Sequence, residues 1–130
     1  MEISLGQTAK IVKVFDKETV QVYAKLTGDF NPVHFDEGYA KNTIFKKPIV
    51  PGPLVLTLVT TLFANKLPGP GSVYLSHEVK YLHPVYYDDT ITAIVEIIEI
   101  NSKKHIFLKT TCTNQEGIII LDGVARLKKY

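Results

Sequence analysis

The segment from Leu54 to about Lys66 constrains the fold more than any other part of the chain, because almost every residue in it is apolar or threonine. The whole apolar run, "PLVLTLVTTLFA", is too short to cross a bilayer, which takes about 20 residues. A helix that is apolar nearly all round must be enclosed on most sides. The segment is therefore predicted to be a buried helix at the centre of the core.

A strand, two helices and an extended loop are predicted before this helix. "QTAKIVKVF" alternates polar and apolar residues as a strand does, and the stretch after it has helical spacing, with Asp16 as N-cap and Gly28 at its end. Residues 36–45 can form a second, short helix. The proline-rich "KKPIVPGPL" is predicted to be an extended loop that gives way to the apolar helix at Leu54.

The chain after the apolar helix reads as a series of strands separated by short connectors. The predicted strands are residues 72–82, 90–100, 104–114 and 117–129. Short connectors favour antiparallel pairing of successive strands, so a β-meander is expected. One apolar helix with a run of strands indicates an α+β fold, a single domain over residues 1–130 in which an antiparallel sheet wraps around the helix. The open edges of such a sheet favour pairing between two subunits.

Charge and cysteine content exclude several kinds of partner and site. The 15 basic and 13 acidic residues are spread along the chain and leave a net charge of +2, so no nucleic acid partner is expected. The N-terminus lacks the basic start and apolar run of a secretory signal, which predicts a cytoplasmic protein without membrane association. The one cysteine, Cys112, lies in the alternating stretch "TTCTN" and is expected to be an inert strand thiol.

The stretch "TGDFNPVH", residues 27–34, combines an acid, an amide and an imidazole around a proline. Pro32 removes a backbone donor and pushes Asn31 out of the α region, so the segment must be irregular. Such a turn can point Asp29 and His34 at one spot, where they could hold, deprotonate and reprotonate a water molecule. Taken alone, the same residues are also common in plain turns. A metal site is not expected, since His77, His83 and His105 show no ligand spacing.

The extended segment "YAKLTGDFNPVHFDEGYA" resembles the hydratase motif of the MaoC-like dehydratases, the (R)-specific enoyl-CoA hydratases, with its Asp-x-Asn-Pro-x-His core. "FKKPIVPGPL", the apolar helix and "LPGPGSVYLSHEVKYLHPVYYDDTITAIVEI" are similar to the same family in order and spacing, so nearly the whole chain is covered. The resemblance implies a hot-dog fold, a curved antiparallel sheet around a long central helix, and a homodimer with sheets joined edge to edge. It also implies hydration of a trans-2-enoyl thioester of coenzyme A to the (R)-3-hydroxyacyl thioester, with no metal or redox cofactor.

The resemblance also assigns roles to residues of this chain. Asp29 and His34 correspond to the two groups that bind the attacking water, while Asn31 is expected to shape the loop by hydrogen bonding. Gly52 is the candidate backbone donor to the thioester oxygen, at the positive end of the apolar helix. Thr60 stands where the family has a serine near the catalytic pair. The chain departs from the family's usual His-Gly-Met, because prolines occupy positions 51 and 53.

Two other functions remain open on the sequence. One is a hot-dog acyl-CoA thioesterase, in which an acid directs water at the carbonyl carbon; Asp29 and His34 in this motif argue against it. The other is a non-catalytic acyl-CoA-binding module or partner subunit. Retention of both residues argues against that too, whereas the altered loop around Gly52 keeps it open.

Overall fold

The computed structural model describes residues 2–130. One strand precedes the helices in the described residues, and strands alone follow the third α-helix. The helices are α1 (Lys17–Thr27), a 3₁₀ turn (Pro32–His34), α2 (Glu37–Lys41) and α3 (Gly52–Asn65). The strands are β1 (Thr8–Val14), β2 (Ser72–Tyr81), β3 (Thr90–Ile100), β4 (His105–Thr113) and β5 (Ile119–Lys129). The predicted α+β class and the predicted strands are confirmed, with ends that move by a few residues.

All five strands form one antiparallel sheet in the order β1-β3-β4-β5-β2. The meander expected from the short connectors is correct for β3, β4 and β5. It is wrong for β2, which pairs with β5 instead of β3. The connector of residues 82–89 therefore crosses the sheet rather than forming a hairpin, and both β1 and β2 are left as edges.

The helix α3 lies against the sheet and supplies the centre of the core. Its buried face consists of Leu54, Val55, Leu58, Val59, Leu62 and Phe63. The sheet meets it with alternate residues of β3 and β4, as a half-buried sheet requires. The burial predicted for this helix is confirmed on that face, whereas Thr57, Thr60 and Thr61 mark its less buried side.

The start of α3 differs from the prediction. The helix begins at Gly52 and not at Leu54, so the last residues of the expected loop are helical. Proline is tolerated here because the first turn of a helix has no intrahelical acceptor for its N–H groups. In consequence Gly52 is the first residue of the helix, with Pro51 as its N-cap.

Candidate active site

The end of α1 places Asp29 at the start of an irregular segment. Gly28 ends the helix in the left-handed conformation, with φ 80°, and donates its N–H to Ala24 O, as predicted for this glycine. The hydroxyl of Thr27 donates to Tyr23 O and accepts from the N–H of Asp29 at 3.2 Å. Asp29 is thereby fixed to the last turn of α1, with its side chain 35% exposed.

Asn31 and Pro32 then form a tight, hydrogen-bonded turn. Asn31 has φ −55° and ψ 122°, outside the α region, as expected for a residue before proline. Its N–H donates to Asp29 Oδ1, and its own Oδ1 accepts from the N–H of Val33, both at 3.2 Å. The amide therefore caps the 3₁₀ turn while the carboxylate of Asp29 is held by the same loop.

His34 ends that turn, and it is buried by the loop that precedes α3. Its Nδ1 lies 2.8 Å from Ile49 O, and the N–H of Ile49 donates to Val33 O. The hydroxyl of Tyr87 donates to the carbonyl of His34. Because a carbonyl can only accept, Nδ1 carries the proton, and Nε2 is left with a lone pair in the neutral ring.

The free nitrogen of His34 faces the carboxylate. Nε2 lies 4.0 Å from Asp29 Oδ2. That separation is too long for a direct hydrogen bond, but one water molecule can bond to both groups. The two side chains predicted from the sequence therefore lie together, and His34 Nε2 and Asp29 Oδ2 can each accept a hydrogen bond from the same water molecule.

The amino end of α3 presents a single backbone donor at Gly52. Pro53 has no N–H, and the N–H groups of Leu54 and Val55 both donate to Pro51 O. Within residues 2–130 the Gly52 N–H has no acceptor. Gly52 also lines a cavity of about 310 Å³ whose walls are mostly apolar. An oxygen bound there would meet both the N–H and the positive end of the helix dipole.

The loop between His34 and Gly52 brings these two parts of the site close together. Ile49 is hydrogen-bonded to the 3₁₀ turn through both its N–H and its carbonyl, and it lines the same cavity as Gly52. Three residues span at most about 11 Å, which limits the distance between Ile49 and Gly52. Asp29 and His34 do not line that cavity, so Ile49 is the residue that links the acid–imidazole pair to the wall that carries the backbone donor.

A second, open groove of about 550 Å³ runs between α1 and α3. Tyr23, Thr27 and Thr57 line it. Burial and then the negative charge of Asp29 raise the pKa of the Tyr23 phenol. Thr27 in this lining accepts the hydrogen bond from the N–H of Asp29, so the groove begins next to the loop that carries the carboxylate. Thr60, the residue expected from the family pattern, is half-buried one turn further on and donates to Thr57 O at 3.2 Å. On this helix it is Thr57 that faces the groove.

Several residues of the site were not predicted from the sequence. Ile49 acts through its backbone, which every residue has, so no side-chain pattern could identify it. Tyr87 comes from the connector before β3, 53 residues after the carbonyl that it contacts. Tyr81, at the end of β2, packs against Gly52 and lines the cavity; nothing in its local sequence indicates this.

The other predicted features lie apart from this site. Cys112 is fully buried in β4, and burial raises its pKa to about 12, consistent with an inert thiol. Among the described residues, no group of three or more His, Cys, Asp or Glu side chains is placed to hold a metal ion. Across residues 2–130, no helix has both the length and the apolar composition to cross a membrane.

Comparison with known proteins gives consistent matches over nearly the full chain. The family model described as "MaoC like domain" matches residues 4–117. The "(R)-specific enoyl-CoA hydratase" of Aeromonas caviae is 37% identical over 127 residues, which are 97% of this chain and 95% of that protein. A "3-hydroxyacyl-[acyl-carrier-protein] dehydratase" of Solanum lycopersicum is 36% identical over 126 residues, 95% of this chain and 75% of that protein.

The solved structures agree with the sequence matches. The structure of the "(R)-hydratase from A. caviae involved in PHA biosynthesis" superimposes with a TM-score of 0.93 at 36% identity. The superposition covers 98% of each chain.

Proposed function

The chain belongs to the MaoC-like domain family and has its hot-dog fold, and on that premise we propose that Asp29 and His34 add water to a trans-2-enoyl thioester. The protein is a hydro-lyase: it hydrates trans-2-enoyl-CoA to (R)-3-hydroxyacyl-CoA and catalyses the reverse dehydration. The observation that supports the dyad is the 4.0 Å gap between His34 Nε2 and Asp29 Oδ2. A single domain over residues 1–130 is part of the proposal.

The tautomer of His34 indicates which steps of proton transfer fall to His34 and which role is left to Asp29. Since Nδ1–H is engaged by Ile49 O, only Nε2 can accept a proton from the bound water. Asp29 accepts a hydrogen bond from the other O–H of that water, which remains as the hydroxyl of the product, and it stabilises the imidazolium that forms. The water oxygen adds to C3 of the substrate, and the protonated pair returns the proton to C2, so the atoms of one water are conserved. The dyad titrates as a coupled pair.

Gly52 serves the other end of the reacting group. Negative charge develops on the thioester oxygen as the oxygen of water attacks C3, and a fixed donor at that oxygen lowers the barrier. The free N–H of Gly52, at the start of α3, supports this role. Asn31 acts indirectly, by holding the loop of the dyad. Thr60 acts less directly on the pocket, since it donates to the carbonyl of Thr57, the residue that lines the groove.

A homodimer joined edge to edge completes the proposal. The sheet ends in β2, where Val73, Tyr74 and Leu75 are each more than a third exposed. An edge strand with such side chains and unpaired backbone groups favours association with a second copy. Sedimentation or light scattering of the purified chain tests this, and a monomer at assay concentration would contradict it.

The activity is tested with crotonyl-CoA and two simultaneous readouts. Loss of the conjugated enoyl absorbance without release of free thiol is the expected result. Thiol release would instead indicate the thioesterase, and binding without either change would indicate a non-catalytic acyl-CoA-binding subunit. An (R)-specific 3-hydroxyacyl dehydrogenase should oxidise the product, whereas an (S)-specific one should not. The same assay with crotonyl acyl carrier protein shows whether the enzyme acts on thioesters of coenzyme A, of acyl carrier protein, or of both.

A further inference from the structure

Tyr81, the last residue of β2, lies directly against the amino end of α3. A Cβ atom built on Gly52 would lie 2.9 Å from Tyr81 Cε1 and 3.1 Å from Cζ. These distances leave room for a hydrogen atom but not for a side chain. Because Cζ carries the hydroxyl, the phenol oxygen is one bond away from an atom in contact with Gly52.

The hydroxyl of Tyr81 has no partner in the described part of the chain, although other tyrosines of the protein do. Tyr74, Tyr86 and Tyr87 use their hydroxyls in hydrogen bonds to His77, to a backbone carbonyl of the α2–α3 loop and to a carbonyl of the 3₁₀ turn. Tyr81 is 46% exposed and lines the cavity that Gly52 also lines. Burial, and then the neighbouring Tyr74 phenol, raise the pKa of Tyr81, so that it remains a protonated donor at neutral pH.

The cavity offers few other donors to a polar ligand group. Its walls are mainly apolar side chains, such as those of Val55, Leu82 and Val85. The imidazole in the lining, that of His83, already bonds Ile119 O through Nδ1. A polar atom entering this space would therefore meet the O–H of Tyr81 beside the N–H of the glycine that the ring touches.

We propose that Tyr81 is a substrate-binding residue of the hydration reaction, whose phenol O–H donates to the thioester oxygen together with the Gly52 N–H. The assignment rests on the proposed function, because it takes the thioester oxygen to be bound at the amino end of α3. A donor of this kind acts mainly when charge develops on the oxygen, so it stabilises the transition state more than the bound substrate. Its removal should lower kcat and leave KM nearly unchanged.

The test is Tyr81→Phe, which keeps the ring against Gly52 and removes only the hydroxyl. We expect kcat for crotonyl-CoA hydration to fall about tenfold or more, with KM within about threefold and an unchanged thermal unfolding midpoint. Tyr39→Phe is the matched control: Tyr39 lies on α2, is 52% exposed and should retain full activity after the same change.

Each other outcome overturns the inference in a recognisable way. A kcat of Tyr81→Phe within twofold of the wild type excludes the donor role, and a rise in KM alone makes Tyr81 merely part of the pocket wall. An equal loss in Tyr39→Phe would show that the effect is not specific to the site. If the wild type does not hydrate crotonyl-CoA, the proposed function itself fails and the role of Tyr81 fails with it.

Discussion

Replacing Asp29 with asparagine isolates the chemical role of the carboxylate from its structural one. Asp29 Oδ1 accepts a hydrogen bond from the N–H of Asn31, and an asparagine oxygen can accept the same bond. The side chain is 35% exposed, so the neutral amide is not forced into an apolar site. Going from a charged to a neutral acceptor costs less than about 1 kcal/mol, and the unfolding midpoint should fall by no more than about 4 °C.

The expected effect on catalysis is much larger than the effect on stability. The amide is neutral, so it cannot stabilise the imidazolium of His34 across the 4.0 Å gap. Positioned acid–base groups contribute about 10²–10⁴ in rate, so kcat of Asp29→Asn should fall by that factor, or by about 3–5 kcal/mol in the activation barrier. Initial rates of enoyl loss with crotonyl-CoA, over at least a tenfold range of concentration, measure kcat and KM separately.

A matched control uses the same substitution seven residues later. Asp36 is exposed and caps α2 by accepting from the N–H of Tyr39, a role that asparagine fills equally well. Asp36→Asn should therefore keep both the wild-type rate and the wild-type unfolding midpoint. A kcat of Asp29→Asn above about a tenth of the wild-type value would contradict a catalytic role for the carboxylate.

Three further predictions concern other groups. His34→Ala should lower kcat by about 10²–10⁴ and, because Ile49 O loses its donor, destabilise the fold by about 1–3 kcal/mol in chemical unfolding. Asp16→Ala should lower the melting temperature at pH 7, whereas Asp16→Asn should not. The side-chain hydrogen bond from Thr19 lowers the pKa of Asp16 below its ordinary 3.8. The stabilisation by this carboxylate is therefore present above the ordinary pKa and is lost as the pH falls through the lowered value, so the melting temperatures of Asp16→Ala and the wild type should differ less at low pH. Cys112, with its pKa raised to about 12 by burial, should react with a thiol reagent at pH 8 only on unfolding, and stability should decline as the pH rises above 9, where the unfolded thiol ionises.

The sequence predicts the elements of this fold better than it predicts their pairing. Helical spacing and polar–apolar alternation are local properties, and they located α1, α3 and the strands to within a few residues. Pairing of β2 with β5 is not local, because the connector of residues 82–89 is long enough either to turn back or to cross the sheet. Only the packing of the sheet on α3 decides between these paths, and a one-dimensional pattern does not contain it.

In the candidate site, too, the local features could be predicted from the sequence and the long-range contacts could not. Asp29, Asn31 and His34 lie within six consecutive residues, so one proline and one glycine were enough to predict that they share a turn. The groups that orient them come from elsewhere: Ile49 O fixes the tautomer of His34, and the Tyr87 hydroxyl holds its carbonyl. These contacts span 15 and 53 residues, and they exist only after the loop and the strands are in place.

The two prolines beside Gly52, which separate this chain from the usual His-Gly-Met pattern of its family, restrict the donors at the start of α3. Pro53 has no N–H, and the N–H groups of Leu54 and Val55 donate to Pro51 O. The Gly52 N–H alone is therefore free among the described groups of that turn. A histidine at position 51 could donate from its side chain, and a non-proline residue at position 53 could donate from its backbone. Prolines at positions 51 and 53 supply neither donor, so a second donor to an oxygen bound at the Gly52 N–H has to come from a different element. Tyr81, in contact with Gly52 across the cavity wall, is the group whose position meets that requirement.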